Sequence, residues 1–581
     1  MRKFLKYFIT FLVGIFVGIG SLVLLVVIAI ASLNSTKEPE QIKENSVLKI
    51  ELPPEITEKS DNDPFSDFFS QISDNGQLSM SELRKMFSQA QNDNKIKGII
   101  LEPGIYSGGF ANAEEIRSLI DSFRGKGKWV YSYGEAYSEV GYYIASACTK
   151  VYLNPKGMME FNGLSSNVVM MKGLFDKMGI DFQVFKVGKF KGAVEPFTQT
   201  TLSVDNKNQI LGYLNSLYKH QIEKIAVSRK KNKDSLWQQA MSGNIFTAKQ
   251  SESAGLVDDL TYEDEFLNQV NTMAKDFNTL KTKNYLTAVG DGEYSEDKIA
   301  VLYVDGEIIV GKSSSNQEVG SVSLVKEIRK LKEDKTVKAI VLRVNSPGGS
   351  SLASDVIARE IELTKKVKPV IVSFGNVAAS GGYYISCLAD SIFASPNSIT
   401  GSIGVFALII NTKNLYTDKL GLTYENVNLG NMTDMWRPDQ PLNAAQSNMV
   451  QTMVEEIYDD FITVVSRGRK IPKERVMEIA QGRVYSGKDA LNIELIDGIG
   501  GLDRAILSAK RKAKISNARI EEYPKSASPF EEFFNEEFNS SVSSAQILQE
   551  FGINAQTANQ LQKVKNYQGF QTRLPWSIEI H

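Results

Sequence analysis

KIKGIILEP, starting at Lys95, and TVKAIVLRV, starting at Thr336, share one pattern: a basic start followed by a run of aliphatic residues. Further along, YGEAYSEVGYYIASA from Tyr133 matches FGNVAASGGYYISCL from Phe374. Every pairing carries the same offset of 241, from Ile99 with Ile340 through Gly163 with Gly404. An ungapped match over about 65 residues identifies a tandem duplication. Within each copy, short β-branched strands alternate with helical stretches, the mark of an α/β fold with a largely parallel sheet. In the second copy the expected order is a strand at Ile299–Val304, a helix near Leu324–Lys332 and a buried strand at Ala339–Val344. A turn NSPGGS, a helix near Ser354–Lys366 and strands at Pro369–Phe374 and Ser391–Ala394 follow.

The first repeat is expected over residues 45–280 and the second over 298–515, with Leu280–Asp297 as a linker rich in Thr, Gly and charge. Residues 516–581 lie outside the repeat. Before it, Tyr7–Thr36 is uncharged and long enough to span a bilayer, which takes roughly 20 apolar residues. Arg2, Lys3 and Lys6 precede it and hold residues 1–36 as a cytoplasmic stub plus transmembrane anchor, with the rest on the far side. Asp63–Phe69 and Pro529–Phe534 each place phenylalanines at helical spacing among acids, a pattern for docking onto the body or a neighbouring subunit.

Composition narrows the chemistry. The 581 residues carry a formal charge of −2, so nothing favours a nucleic-acid partner. The two cysteines, Cys148 and Cys387, support neither a disulfide framework nor a four-cysteine zinc site. With only His220 and His581, a histidine-based catalytic triad has almost no material; His220, in the polar stretch LYKHQIEK, is expected on the surface. Gly306–Ser313 spells GxxxxGKS, but its interior, Glu-Ile-Ile-Val, forms strand rather than a phosphate-wrapping loop, and SSSNQEVG after it does not start a helix. Ser216–Lys219 and Ser323–Lys326 fit SxxK without any accompanying element and are chance matches.

Two turns of the second repeat survive. Asn345–Ser350 pairs glycines between a buried strand and a helix, where backbone amides can approach a ligand. Ala378–Tyr383 places Ser380 at a helix start among very small residues, with the Gly381 amide able to face an oxyanion. A serine N-cap beside a glycine turn fits the same letters. The duplication separates the two readings: the first copy has Glu139 for Ser380 and Val140 for Gly381, yet it offers Lys191 in VGKFKGAVEPF, for which the second copy has Thr433. One half supplies a serine without a lysine, the other a lysine without a serine. For the lysine to act as a base its pKa, near 10.4 when free, must fall to roughly 7–8, at a cost of about 4 kcal/mol.

KGAVEPF, NSPGGS, AASGGYYI and TGSIGVF together resemble the signal peptide peptidase A family of bacterial serine proteases (serine peptidase family S49), in its long, duplicated, membrane-anchored form. The resemblance runs from the anchor to about residue 515. It implies a crotonase- or Clp-protease-like fold in tandem, a homotetrameric bowl, and a Ser-Lys dyad built between the two halves of each chain. Matched position by position, Ser380 is the nucleophile, Lys191 the general base, Gly349 and Gly381 the oxyanion hole, and Ser402 the hydroxyl that orients the lysine. The implied activity is degradation of cleaved signal peptides left in the membrane, on the extracytoplasmic side of a bacterial inner membrane, with no metal or organic cofactor. Two rivals share the fold: an enzyme acting on acyl thioesters, separable by coenzyme A binding against a serine-reactive probe, and a non-catalytic membrane scaffold in which Ser380 never labels.

Overall fold

The computed structural model describes residues 41–59, 78–525 except 244, 275, 291–294, 314 and 316, and 569–574, together with Gly14 and Gly18. The anchor read at Tyr7–Thr36 and the Phe-rich acidic segments lie outside the described residues, apart from those two glycines. Among the described residues no helix is long and apolar enough to cross a membrane.

Each repeat builds a six-membered run of strands in the same spatial order. In the first it is Asp259–Leu260, Lys150–Met159, Trp129–Tyr137, Ile96–Glu102, Ser46–Glu51 and Asn278–Lys281, all paired in parallel. In the second, Val337–Ser346 lies between Lys298–Asp305 and Val370–Ala379, Ser391–Ala394 and Ile399–Gly401 flank the latter, and Arg519–Tyr523 closes the far edge. Near-continuous apolar runs such as KAIVLRV are buried on both faces, as a parallel sheet requires. The helices follow the same correspondence. Val204–Arg229 and Ala444–Arg469 are both 26 residues long, and each ends on a left-handed lysine, Lys230 or Lys470.

A third, mixed sheet joins the halves. Its order is Glu318–Gly320, Glu307–Ile309, Gly348–Ser350, Gly569–Arg573, Val405–Asn411 and Asp181–Val187, so a first-repeat strand pairs antiparallel with a second-repeat strand over seven residues. Away from it, Arg343 of the second repeat, 1% exposed, grips Glu58 through two bonds of 2.9 Å and Glu115 through another of 2.9 Å. Asn376 Oδ1 also accepts from the Ala111 and Asn112 amides, both at 3.1 Å, and so caps a first-repeat helix whose own N-cap, Gly109, has no side chain to offer.

Three expectations are corrected. His220 is buried, because the long helix Val204–Arg229 packs inside the first repeat and Glu114, 3.3 Å away, gives the ring a polar partner. The stretch 280–297 is not all linker: Asn278–Lys281 pairs with Ser46–Glu51, and helix Thr282–Val289 buries Tyr285, which leaves only 290–297 as connection. The chain beyond 515 also re-enters the body, at Arg519–Tyr523 and at Gly569–Leu574.

Candidate active site

Strand Val370–Ala379 ends on Ser380, which starts helix Gly381–Ser386 with φ +55° and ψ −113°. A non-glycine residue held there costs on the order of 1–3 kcal/mol and persists only when its surroundings enforce it. The enforcement is visible: the Ser380 amide donates to Gly401 O at 2.8 Å, and the small residues on either side leave the hydroxyl room to project from the turn.

Lys191 reaches this serine from the other half. After strand Asp181–Val187 the chain turns at Gly188, and the Phe190 amide donates to Gln481 O at 2.9 Å. Gln209 then staples the loop down, donating to Phe190 O at 3.4 Å and accepting from the Val484 amide at 3.0 Å. Gly482, at φ +77°, presses on the lysine so closely that a Cβ there would lie 2.7 Å from Lys191 N and 2.9 Å from its Cα. The Nζ stands 2.8 Å from Ser380 Oγ, 3.0 Å from Ser402 O and 3.1 Å from Ser402 Oγ.

All three residues are fully buried. Burial alone holds the Lys191 amine well below the ordinary lysine range, since no carboxylate offsets it. A neutral amine here can donate to Ser402 and accept the Ser380 proton, the arrangement a general base needs. Ser402 is itself fixed at φ +50°, with its amide donating to Arg483 O at 2.7 Å.

The two glycines expected to face an oxyanion lie beside this pair. Gly349, at φ +154° in strand Gly348–Ser350, sits against Ile308 so tightly that a Cβ would collide with that backbone. Gly381 opens the helix after Ser380, so its amide is one of the donors a helix N-terminus leaves without an intrahelical partner. Alongside Ser350 a cleft of about 650 Å³ runs between Glu307–Ile309 and the segment at Phe570, with Asp355 and Tyr384 on its wall.

The structure thus brings together all five residues singled out by sequence, and it leaves Thr433 exposed on a distant loop. The GxxxxGKS match forms strand Glu307–Ile309, and Ser216 bonds to Ser486 and Asp489 rather than to any base. Sequence reasoning missed Gln209, Gly482 and the Gly569–Leu574 segment. Gly482 carried a faint signal in AQGR, a glycine between a helix and a strand; Gln209 carried none.

With that geometry in hand, comparison with known proteins is informative. A model of "Peptidase family S49" matches residues 122–277 and 362–516, and a Clp protease model matches residues 290–400. The chain is 35% identical over 442 residues to "Protease 4" of Haemophilus influenzae, covering 73% of this chain and 71% of that one. It is 31% identical to the chloroplastic "Serine protease SPPA" of Arabidopsis thaliana, covering 76% and 67%. Over 240 residues it is 38% identical to the "Putative signal peptide peptidase SppA" of Enterococcus faecium, covering 41% and 70%.

Proposed function

The chain belongs to peptidase family S49, with a Clp-protease-like α/β fold, and is a serine protease; from that premise we propose that it is a membrane-anchored endopeptidase with a Ser380–Lys191 dyad, degrading cleaved signal peptides and similar apolar peptides. The observation that carries the reading is the 2.8 Å contact between Lys191 Nζ and Ser380 Oγ, with the lysine wholly buried and no carboxylate to keep it charged.

In this mechanism the neutral Lys191 amine takes the hydroxyl proton as Ser380 Oγ attacks a peptide carbonyl. The developing oxyanion is met by the Gly349 and Gly381 amides, a pair of donors already in place and away from water. Lys191 passes its proton to the departing amine, then accepts one from the water that releases the acyl group. Ser402 holds the amine in line. Peptide substrates would bind extended along Gly348–Ser350, and the anchor at Tyr7–Thr36 would keep the body beside the bilayer, on the extracytoplasmic side of a bacterial inner membrane and assembled as a homotetramer.

The test is hydrolysis of a detergent-solubilised signal-peptide fragment by the full chain and by Ser380→Ala and Lys191→Ala, each checked for folding by circular dichroism. Both variants should lose activity by several orders of magnitude. An active Lys191→Ala would place the base elsewhere, and an active Ser380→Ala would end the assignment of the nucleophile.

A further inference from the structure

Segment Gly569–Leu574 occupies the channel where a substrate would lie. Its strand, Gly569–Arg573, runs antiparallel between Gly348–Ser350 and Val405–Asn411, filling the gap between them. Gly349 stands opposite Thr572, Gly348 opposite Arg573, and Phe406 opposite Gln571. A chain inserted between two strands is bound through its backbone, and pockets decide which residue stands at the reacting bond.

Here that residue is Thr572. Its carbonyl oxygen occupies the point where a Cβ on Gly348 would fall, and the same point is 2.6 Å from the Gly381 amide nitrogen. Its hydroxyl donates to Gly349 O at 3.2 Å, and the Leu574 amide donates to Pro347 O at 2.7 Å. The Thr572 carbonyl therefore lies beside the two glycines assigned to the oxyanion.

The next residue is gripped by its side chain. The Arg573 guanidinium meets the Glu307 carboxylate in two bonds, at 2.5 and 2.9 Å, with both residues buried. A paired fork of this kind selects arginine by shape as well as charge. Leu574 is buried in turn, in the cluster that holds Ala379, Ile399 and Val484.

We propose that the protease hydrolyses its own chain at the Thr572–Arg573 bond, with Glu307 recognising the basic residue that follows the bond; this rests on the dyad reading above. Ser380 Oγ bonds to the Thr572 carbonyl carbon as the bond from that carbon to the Arg573 nitrogen breaks. The hydroxyl proton passes through Lys191 to that nitrogen, which departs as the amine of Arg573–His581. Water then gives hydroxyl to the acyl carbon and a proton to Ser380, freeing a carboxylate on Thr572. One water is consumed, and nothing is oxidised or reduced. The vacated channel is then open to other chains, with the Glu307 carboxylate exposed in its wall.

The intact mass of the full chain in detergent, followed over time and across a tenfold range of protein concentration, tests this. The wild type should lose the nine residues Arg573–His581, or be purified already ending at Thr572, at a rate independent of concentration. Ser380→Ala should keep its full mass, and both Glu307→Gln and Arg573→Gln should be processed at least tenfold more slowly. An added peptide with arginine after the scissile bond should outcompete one with glutamate there, and Glu307→Gln should erase that preference. If the wild type hydrolyses added apolar peptide but keeps its own mass, the segment is an inhibitory strand: this inference fails and the protease reading stands. If it hydrolyses neither, both fail. Loss of the same residues from Ser380→Ala assigns the cut to another protease and overturns the proposal.

Discussion

The two repeats share a fold and differ at every point where chemistry could occur. Ser380 of the second corresponds to Glu139 of the first, and both start a helix after the third strand of their sheets. Glu139 is buried and tied into structure: it accepts from the Asn162 amide at 2.8 Å, from the Gly163 amide at 3.3 Å and from the Tyr218 hydroxyl at 2.8 Å. Gly349 corresponds to Gly108, but there the Tyr106 ring fills the space in front of the glycine, so closely that a Cβ on Gly108 would collide with it. Ser402 corresponds to Phe161, wholly buried, and Lys191 to the exposed Thr433. The first repeat has traded a channel for packing. What it contributes to the second is the arm, Asp181–Val187 and the loop after it, that delivers the base.

Exchanging residues between the copies should break this comparison most visibly. Ser380→Glu, which gives the second repeat the residue of the first, should lower peptide hydrolysis by roughly 10⁴-fold or more, as loss of a nucleophile does. Glu139→Ser should change turnover by less than about twofold, because no lysine stands near it. Steady-state hydrolysis of one peptide by both variants checks the pair, and a new activity in Glu139→Ser on a Ser380→Ala background would contradict the division of labour.

The buried carboxylate sharpens the contrast through its own titration. Burial pushes Glu139 up to about 7 from the ordinary 4.5, ahead of the opposing hydrogen bonds from Asn162, Tyr218 and Gly163. The folded state therefore binds the proton more tightly than the unfolded one between those values. The stability Glu139 contributes is complete below pH 4.5 and is lost as the pH rises through 7, a change of about 3 kcal/mol. Glu139→Gln should flatten that dependence, and hydrogen exchange of helix Glu139–Ala145 at pH 4.5 and 8 will read it.

A smaller effect concerns the base. Gly482→Ala forces a methyl group onto the Lys191 backbone, 2.7 Å from its nitrogen, at a left-handed φ that disfavours alanine. A displacement of about 1 Å in the dyad is worth around 10²-fold in rate. The variant should lose that much turnover while its circular dichroism stays unchanged; retained activity would show that Gly482 does not set the position of Lys191.

Much of this architecture can be read from the letters, and the physical reasons are specific. The constant offset of 241 reveals the duplication because the paired strands and the turns between them tolerate no insertion. Ser380, Gly349 and Gly381 declare themselves because positive φ and close backbone approach admit very few residue types. Lys191 became visible only through its absence from the other copy. His220 misled because the helix Val204–Arg229 looks polar in one dimension and is enclosed in three, with Glu114 meeting its ring across 106 residues of chain. Nothing local to Gln571, Thr572 or Arg573 tells that they lie between Gly348–Ser350 and Val405–Asn411, since an inserted strand is held by backbone pairing that leaves no mark on composition.

The separation of base and nucleophile, 189 residues along the chain, bears on the order in which the protein is made. The first half leaves the ribosome carrying a lysine that is still in water and therefore charged. That lysine loses its proton only when the turn at Gly482 folds over it, and this turn lies downstream of Ser380 itself. A partly synthesised chain is thus chemically silent, and hydrolytic competence arrives as one of the last events of folding, without a removable propeptide to enforce the delay.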